Sequence, residues 1–291
     1  MPPIPDEKLI KEGFDIARDL AKKYAGTFYL ASIFLPTKEK CAACSVYALC
    51  RVSDEAVDSL TEAPSREKLG QIKEKIDLAY QQDSLNDNLL LCFRHTVNNY
   101  KIPREYFYEF IEGMQMDLDK SRYKDFNELY DYSYKAAAVI GLIMLKIFGY
   151  SDRNAEKYAI DLGTAFQLTN ILRDIKEDFQ RGRIYLPQDE MARFGTSESD
   201  IAGENLSQNF KDLLKFQINR ARSYFRSSED GIRMINGKSN RLVVFLMKEL
   251  YAGILDSIEG NDYDIFSKRA SVNNFKTVAI ILKIISKGKY L

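Results

Sequence analysis

The chain is poor in the side chains that most often carry metal or redox chemistry. Its 291 residues include no tryptophan, one histidine and four cysteines. Four cysteines are too few to cross-link a chain of this length, and the Cys41-Ala-Ala-Cys44 pair has no second pair with which to bind zinc. Nothing beside His95 in the sequence resembles an activated nucleophile. These shortages argue against the usual zinc sites and against Ser-His-Asp or Cys-His catalysis.

An excess of charge of either sign is also absent. Lysine plus arginine and aspartate plus glutamate number 42 each, so the formal net charge is zero. A protein built to hold nucleic acid normally has a basic excess, so we expect no nucleic-acid partner. No apolar run reaches the roughly 18 residues that span a bilayer, and the first residues lack the pattern of a signal peptide. We therefore predict a cytoplasmic protein, with peripheral membrane contact as a further expectation.

Proline is scarce, and its distribution predicts the fold class. The seven prolines leave long tracts in which a helix is not interrupted. No Asn-Gly or Asp-Gly signal separates alternating strands. We predict one all-α domain over residues 8–291, after a disordered lead at residues 1–7. Apolar residues recur at helical spacing in Leu9–Ala21, Ala42–Leu60, Phe107–Leu118, Leu129–Phe148, Ala155–Phe179, Phe210–Phe225 and Leu242–Ile258.

An apolar stretch near the end of the chain allows two interpretations. Residues Val278–Ile285 are apolar except for Lys283. A helix that lies on a membrane normally has a strongly charged face. We therefore favour a core helix over a helix on a membrane surface.

A first acidic stripe lies in the second of these helical segments. Asp54 and Asp58 are four residues apart, so on a helix they stand one turn apart on the same face. Tyr47 and Arg51 fall on that face as well, while the rest of the segment is mostly small or apolar. A helix of this composition is largely buried. Its charges are therefore expected to face an internal cavity or a partner.

A second stripe lies in the segment that ends at Phe179. Gln167, Asn170, Asp174 and Asp178 share one narrow face, which is distinct from the apolar face and from the ordinary solvent face that includes Arg173. A single D-x-x-x-D motif is weak evidence, since acidic residues often have helical spacing on solvated surfaces. Two such motifs on largely apolar helices indicate a functional site rather than a solvated surface, because like charges one turn apart destabilise a helix.

The donor atoms of the two stripes indicate the ligand. Clustered buried carboxylates need cations to stay ionised. Oxygen ligands without histidine or cysteine select Mg²⁺, with Mn²⁺ as the alternative, and Mg²⁺ commonly joins carboxylates to phosphate oxygens. Arginines near both stripes can bind phosphate, but neither a P-loop nor a G-x-G-x-x-G motif is present. The residues alone suggest a diphosphate held through metal ions inside a helical bundle.

The sequence resembles the squalene/phytoene synthase family over about residues 8–285. The segment from Asn170 to Asp178, followed by Arg183-Ile-Tyr-Leu-Pro187, is the most specific match. Further segments that carry the resemblance are Thr27–Ser32, Tyr47–Asp58, Met116–Tyr123, Gln167–Asp178 and Asn261–Ala270.

This resemblance implies an isoprenoid-synthase helical bundle around a central cavity, and a prenyl transferase of isoprenoid and carotenoid biosynthesis. It implies head-to-head (1′-1) condensation of two prenyl diphosphates through a cyclopropyl diphosphate, with Mg²⁺. The product would be phytoene from two geranylgeranyl diphosphates, or presqualene diphosphate, squalene or dehydrosqualene from two farnesyl diphosphates. NADPH would be needed only for squalene. A non-catalytic helical adaptor is the alternative outside the enzymes.

The resemblance also assigns roles to residues. The metal and diphosphate ligands would be Asp54, Asp58, Asn170, Asp174 and Asp178, and the catalytic set would be Asp54, Asp58, Asp174, Asp178 and Tyr47. The substrate contacts would be Phe28, Arg51, Tyr132, Gln167, Asn170, Arg173, Arg183, Tyr185 and Arg269. One departure concerns Ala138, which stands where family members commonly have glycine, and its methyl group puts the chain-length preference in question.

Overall fold

The computed structural model describes residues 7–57, 62–81 and 85–287. Within these ranges the chain is almost entirely helical, and two isolated bridges, Arg122 with Ile184 and Tyr150 with Ile235, are its β-pairing. The helices are α1 Glu7–Tyr24, α2 Gly26–Ser32, α3 Thr37–Val57, α4 Glu62–Tyr80, α5 Asn88–Tyr100, α6 Arg104–Asp119, α7 Phe126–Ser133, a π-helical segment Tyr134–Ala138, α8 Val139–Phe148, α9 Ala155–Gln180, α10 Gln188–Arg193, α11 Glu198–Ala202, α12 Gln208–Ile232, α13 Lys238–Gly260 and α14 Asn274–Lys287.

The all-α prediction is confirmed. Six of the seven segments with helical periodicity lie entirely within helices, and the described part of the seventh, Ala42–Leu60, lies in α3. Helices α4 and α5 were not predicted. The apolar residues of α4 are interspersed with polar ones, whereas those of α5 are concentrated in a short run over residues 89–93. Helix α1 begins at Glu7, the last residue of the predicted disordered lead, and the rest of that lead lies outside the described residues. The domain boundaries stay a prediction.

Helix α9 is the central element of the bundle. It has 26 residues and packs against α8, α12, α13 and the π-helical segment. Two large apolar clusters lie at its two ends, one containing Phe107 and Ile143 and the other containing Phe210 and Leu172. Ala136 packs against both clusters. The fold is thus held by apolar packing around one long helix, and that helix also carries the second acidic stripe.

Two glycines allow the π-helical segment to pass closely between α6 and α9. A Cβ at Gly163 would lie 2.4 Å from Cα of Ala138, and a Cβ at Gly113 would lie 2.8 Å from the backbone nitrogen of Ala136. Both clashes are with main-chain atoms, which cannot rotate away. Backbone therefore meets backbone at these two crossings.

The methyl group of Ala138 belongs to this close packing. Ala138 is fully buried and its Cα faces Gly163. Among the described residues, the cavity presented below is lined by its neighbours Ala136 and Ala137 rather than by Ala138. The departure from the family pattern therefore alters the contact between helices and not the wall of the cavity.

The interpretation of residues Val278–Ile285 as a core helix is wrong for one of its faces. The segment is helical, and Ile284 is buried with Ile280 and Ile281 packed nearby. Val278, Leu282 and Ile285 are exposed, because only one side of α14 rests on the bundle. No helix in the described ranges is long and apolar enough to cross a bilayer.

A buried ion pair joins α10 to α12. Glu190 accepts hydrogen bonds from Arg220 and Gln217, and its side chain is 8% exposed. Burial alone would raise the pKa of Glu190, but the hydrogen bonds from Arg220 and Gln217 lower it overall. The Arg220 guanidinium also stacks on Phe126. The segment that follows α9 is fastened to the bundle here.

Replacing Glu190 with glutamine should lower the free energy of unfolding by about 3 kcal/mol at neutral pH, since a buried arginine loses its counter-charge. The carboxyl contributes stability above its ordinary pKa of 4.5 and loses it as the pH falls through the lowered value in the fold. The difference between wild type and variant should therefore stay constant down to that range and shrink below it. Denaturant unfolding at several pH values measures it.

Glu198→Gln is the matched control. Glu198 pairs with Arg122 but is 48% exposed, so its loss should cost less than about 1 kcal/mol. Equal effects for the two variants would show that burial does not set the strength of the Glu190 pair.

Candidate active site

A cavity of about 770 Å³ lies at the centre of the bundle. One face of α9 forms a wall of the cavity from Ala155 to Arg173, over a rise of about 27 Å. The residues of α9 on this wall are Ala155, Tyr158, Ala159, Leu162, Gly163, Phe166, Gln167, Asn170 and Arg173. The wall is thus apolar toward the start of α9 and polar toward its end. We call the whole cavity the chamber, and the polar part its polar end.

Most of the predicted substrate contacts lie in this chamber. Its walls include Phe28, Tyr47, Arg51, Asp54, Tyr132, Gln167, Asn170, Arg173 and Arg269. Asp178, Arg183 and Tyr185 line a small crevice next to it instead. Asp58 lies outside the described residues. The structure thus brings residues of α3 and α9 to one chamber, while their roles stay predictions.

Two arginines hold Asp174 at the polar end. Its carboxylate accepts hydrogen bonds from Nε of Arg173 at 2.8 Å and from Nε of Arg269 at 2.8 Å. Burial alone would raise the pKa of Asp174, but Arg173 and Arg269 lower it overall, so the group is ionised at neutral pH. Arg269 comes from the loop between α13 and α14 and also lies 3.3 Å from Glu177. Asp174 is therefore bonded to the two arginines that line the chamber.

Asp178 lies in the opposite electrostatic environment. Burial, and then the charges of Asp174 and Asp117, raise its pKa to about 7 although Arg181 and Arg183 are near. Carboxylates that crowd together away from water compete for the available positive charge. At Asp178 the side chains of the protein do not supply enough positive charge, so binding of an added cation would be favourable here.

Helix α3 also contributes residues to the chamber. Asp54 is half-buried on its wall. Arg51 contacts Glu55 at 2.8 Å and places its guanidinium 4.5 Å from the ring centre of Tyr24. The ring of Tyr47 stacks on Phe28 with centroids 5.8 Å apart. Burial raises the pKa of Tyr47 to about 12, so its hydroxyl stays protonated.

The sequence analysis missed Asp117, which anchors a cluster of tyrosines. Asp117 accepts hydrogen bonds from the hydroxyls of Tyr185 at 2.7 Å and Tyr132 at 3.2 Å. The Tyr132 and Tyr185 rings stack with centroids 5.0 Å apart, and Gln167 donates to Tyr132. Burial, and then the charge of Asp117, raise the pKa of both tyrosines well above its usual value.

The spacing of α6 contained a signal for Asp117. Phe110, Met114 and Asp117 follow one another at helical intervals and all line the chamber. Asp54 was singled out by its pairing with Asp58 on one face of a helix, whereas Asp117 is a single acidic residue on an apolar face. Asp117 lay within a segment that carried the family resemblance, but no role was attached to it.

The side chains at the polar end fit a divalent cation by their chemistry. The buried Oδ1 of Asn170 has no hydrogen-bond partner in the described chain, and an unpaired buried acceptor is costly. Its neighbours offer carboxylate oxygens, the donors that Mg²⁺ prefers. No three acidic, histidine or cysteine side chains within the described ranges already stand close enough to hold an ion. The donor set is therefore suitable, although Asp174 is bonded to arginines.

Comparisons of this sequence with known proteins all indicate the same family. The sequence profile of the squalene/phytoene synthase family matches residues 21–276. The chain is 38% identical to the chloroplastic phytoene synthase of an Oncidium hybrid cultivar, over 94% of this chain and 68% of that protein. It is 36% identical to the 15-cis-phytoene synthase of a Synechocystis strain, over 90% of this chain and 81% of that one.

Structural similarity extends over nearly the whole chain. The fold matches a crystal structure of a dehydrosqualene synthase with a TM-score of 0.90 at 25% identity, and the match covers 97% of this chain and 98% of the other. With a family profile that matches most of its length, this chain belongs to the squalene/phytoene synthase family.

Proposed function

We propose that this chain condenses two prenyl diphosphates head to head, and that it is a 15-cis-phytoene synthase that uses two geranylgeranyl diphosphates. The observation that carries the proposal is the separation of polarity along α9, where Asn170 and Arg173 stand at one end of the chamber and Ala155 and Ala159 at the other. A prenyl diphosphate has the same separation of charged head and apolar tail. The phytoene synthases among its relatives support the choice of product.

Diphosphate binding is assigned to the polar end. Arg173 and Arg269 line the chamber and can turn from Asp174 toward phosphate oxygens, which arginine binds bidentately. Arg51 approaches from α3, and Arg183 stands beside Asp178 in the adjoining crevice. Asp54, Asp58, Asn170, Asp174 and Asp178 would hold Mg²⁺, or Mn²⁺ in its place. The metal supplies positive charge that stabilises the departing diphosphate.

The reaction itself runs in the apolar part of the chamber. As one diphosphate leaves, the double bond of the second substrate attacks the allylic carbon, and loss of a proton closes a cyclopropyl diphosphate. Departure of the second diphosphate and rearrangement give a cation, and loss of a proton from it yields phytoene. Apolar walls such as Leu162 and Phe166 exclude the water that would capture a cation. Aromatic faces such as Tyr47 and Phe28 stabilise it.

The similarity to a dehydrosqualene synthase favours a second candidate, which is condensation of two farnesyl diphosphates. NADPH enters the proposal only if the product is squalene, because that step requires a hydride. A helical adaptor without activity is disfavoured by the chamber and by the carboxylates at its polar end.

Location forms the remaining part of the proposal. We expect a cytoplasmic protein that contacts a membrane peripherally, because a C40 hydrocarbon is insoluble in water and has to leave the chamber into an apolar phase.

Incubation with each substrate separately decides the product. With geranylgeranyl diphosphate and Mg²⁺, we expect a C40 hydrocarbon without NADPH, identified by mass and by a chromophore of three conjugated double bonds. Farnesyl diphosphate should react more slowly. A C30 product formed faster than the C40 product would favour the second candidate, and no product from either substrate would contradict the proposed reaction.

Asp178→Asn should keep the thermal stability of the metal-free protein but lose metal binding. Removing a buried carboxylate beside Asp174 and Asp117 relieves like-charge repulsion, so the metal-free variant should melt at the same temperature as wild type or higher. Wild type should gain thermal stability from Mg²⁺ with inorganic diphosphate, since a ligand of the folded state stabilises it. The variant should lose that gain together with turnover.

Asp189→Asn is the control, because Asp189 is exposed and does not line the chamber. If Asp178→Asn kept the full thermal shift with Mg²⁺ and diphosphate, its assignment as a ligand would be wrong.

Asp117→Asn tests the tyrosine cluster. An amide has only one acceptor oxygen for two buried hydroxyls, so Tyr132 and Tyr185 would lose their common anchor. We expect kcat to fall by about 100-fold, which is the scale of the rate effect of positioned proton-transfer groups. The change in KM should be smaller. Asp119→Asn, two residues along on α6 and 48% exposed, should leave both constants unchanged.

A double-mutant cycle shows whether Asp117 acts through Tyr132. The variant that combines Asp117→Asn with Tyr132→Phe should be scarcely slower than the slower single variant. Additive losses would mean that the two residues act independently.

A further inference from the structure

The outer face of α14 carries a row of exposed apolar side chains. The exposed fraction is 90% for Phe275, 53% for Val278, 62% for Leu282 and 41% for Ile285. At about 100° per residue, these four positions fall within about a quarter of the circumference of the helix. Contiguous exposed apolar side chains of this size mark an interaction surface more often than single ones do. We call these four residues the outer row.

The opposite face of α14 fastens the helix to the bundle. Ile284 is 7% exposed, and Ile280 and Ile281 pack against the same apolar cluster. Ile280 lies close to α13, since a Cβ built at Gly253 would be in ordinary van der Waals contact with its Cδ1 at 3.7 Å. The outer row is therefore presented on a docked helix.

Charge distinguishes this surface from an ordinary protein contact. Between Ala270 and Leu291 the sequence has four lysines, at 276, 283, 287 and 289, and no acidic residue. Lys276 and Lys283 are exposed and lie on one side of the outer row by helical register. An amphipathic helix with an apolar face and flanking lysines is suited to the interface of a bilayer, where the lysines reach anionic headgroups.

A second copy of the chain fits the outer row less well. In a two-fold dimer the same patch meets itself, so lysines would face lysines with no acidic residue on α14 to separate them. The row also covers only about 15 Å along the helix, whereas a stable interface buries about 800 Å² on each partner. Binding to a bilayer requires neither a complementary protein surface nor a buried area of that size.

We infer that α14 lies on an anionic membrane surface, with the outer row inserted among the acyl chains and Lys276 and Lys283 at the headgroups. The chamber is one helix away, because α13 lines it with Val243, Val244, Met247 and Tyr251 and packs against α14 on another side. The inference rests on the proposed function only in linking this contact to release of a hydrocarbon. Binding of α14 to lipid does not require catalysis.

Vesicle sedimentation of the full chain tests the inference directly. Wild type should bind vesicles of phosphatidylcholine that contain phosphatidylglycerol, bind vesicles of phosphatidylcholine alone several-fold more weakly, and be partly released by salt. The Phe275→Ser/Leu282→Ser variant should lose binding by about tenfold or more, because it withdraws two large apolar side chains from lipid. Lys276→Gln/Lys283→Gln should lose about fivefold per lysine on the anionic vesicles.

Ile16→Ser/Leu78→Ser is the matched control, since it removes two exposed apolar side chains from other helices. It should bind as wild type does. Equal binding by wild type and Phe275→Ser/Leu282→Ser, or no binding by wild type, would overturn the inference. So would a dimer in solution that the outer-row variant abolishes.

The condensation assay in detergent keeps the two proposals apart. The outer-row variant should have wild-type activity when detergent replaces the membrane, because its side chains lie outside the chamber. A chain that binds anionic vesicles through α14 yet forms no product would contradict the proposed function alone.

Discussion

A carboxylate that is withdrawn from water needs a positive charge beside it, and the polar end of the chamber is organised around this requirement. Asp174 meets it with Arg173 and Arg269. Asp178 meets it only in part, because burial and the charges of Asp174 and Asp117 outweigh the neighbouring Arg181 and Arg183 and raise its pKa. The carboxylates at this end are thus short of positive charge in the protein alone. Under the proposed function, Mg²⁺ would supply the missing charge and the phosphates of the substrate would accept hydrogen bonds from the arginines.

The rest of the fold places that charged end against an apolar space. Helix α9 runs the length of the chamber, so a single helix face changes from Ala155 and Ala159 to Asn170 and Arg173. The surrounding helices complete both parts. The tyrosine cluster around Asp117 stands at the border between them, where a buried aromatic surface meets a carboxylate. Under the proposed function, one continuous wall would bind the diphosphate head and enclose the apolar prenyl tail away from water.

Much of this arrangement could be predicted from the sequence because it depends on local spacing. Asp54 stands one turn from Arg51 in any helix, and Asn170 stands one turn from Asp174, so their shared faces required no tertiary information. The convergence of Asp117 with Tyr132 and Tyr185 depends on contacts between separate segments, 15 and 68 residues from Asp117, and helical periodicity does not predict such contacts. The exposure of α14 was mispredicted for a related reason, since an apolar helix pattern does not reveal how many sides its neighbours cover.

The crossing of backbones at Gly113 and Gly163 has a consequence for how such an enzyme can change over time. Where main chain packs against main chain beside the chamber, whose lining includes Gly163, Ala136 and Ala137, there is no side chain to shorten, and any larger residue at those glycines collides with backbone atoms. Drift toward longer or shorter isoprenoids is thereby steered to the walls built from side chains, such as Ala159, Leu162 or Met144. The backbone crossing therefore constrains the evolution of the chamber, because substitutions can reshape the walls on either side of the crossing but not the crossing itself.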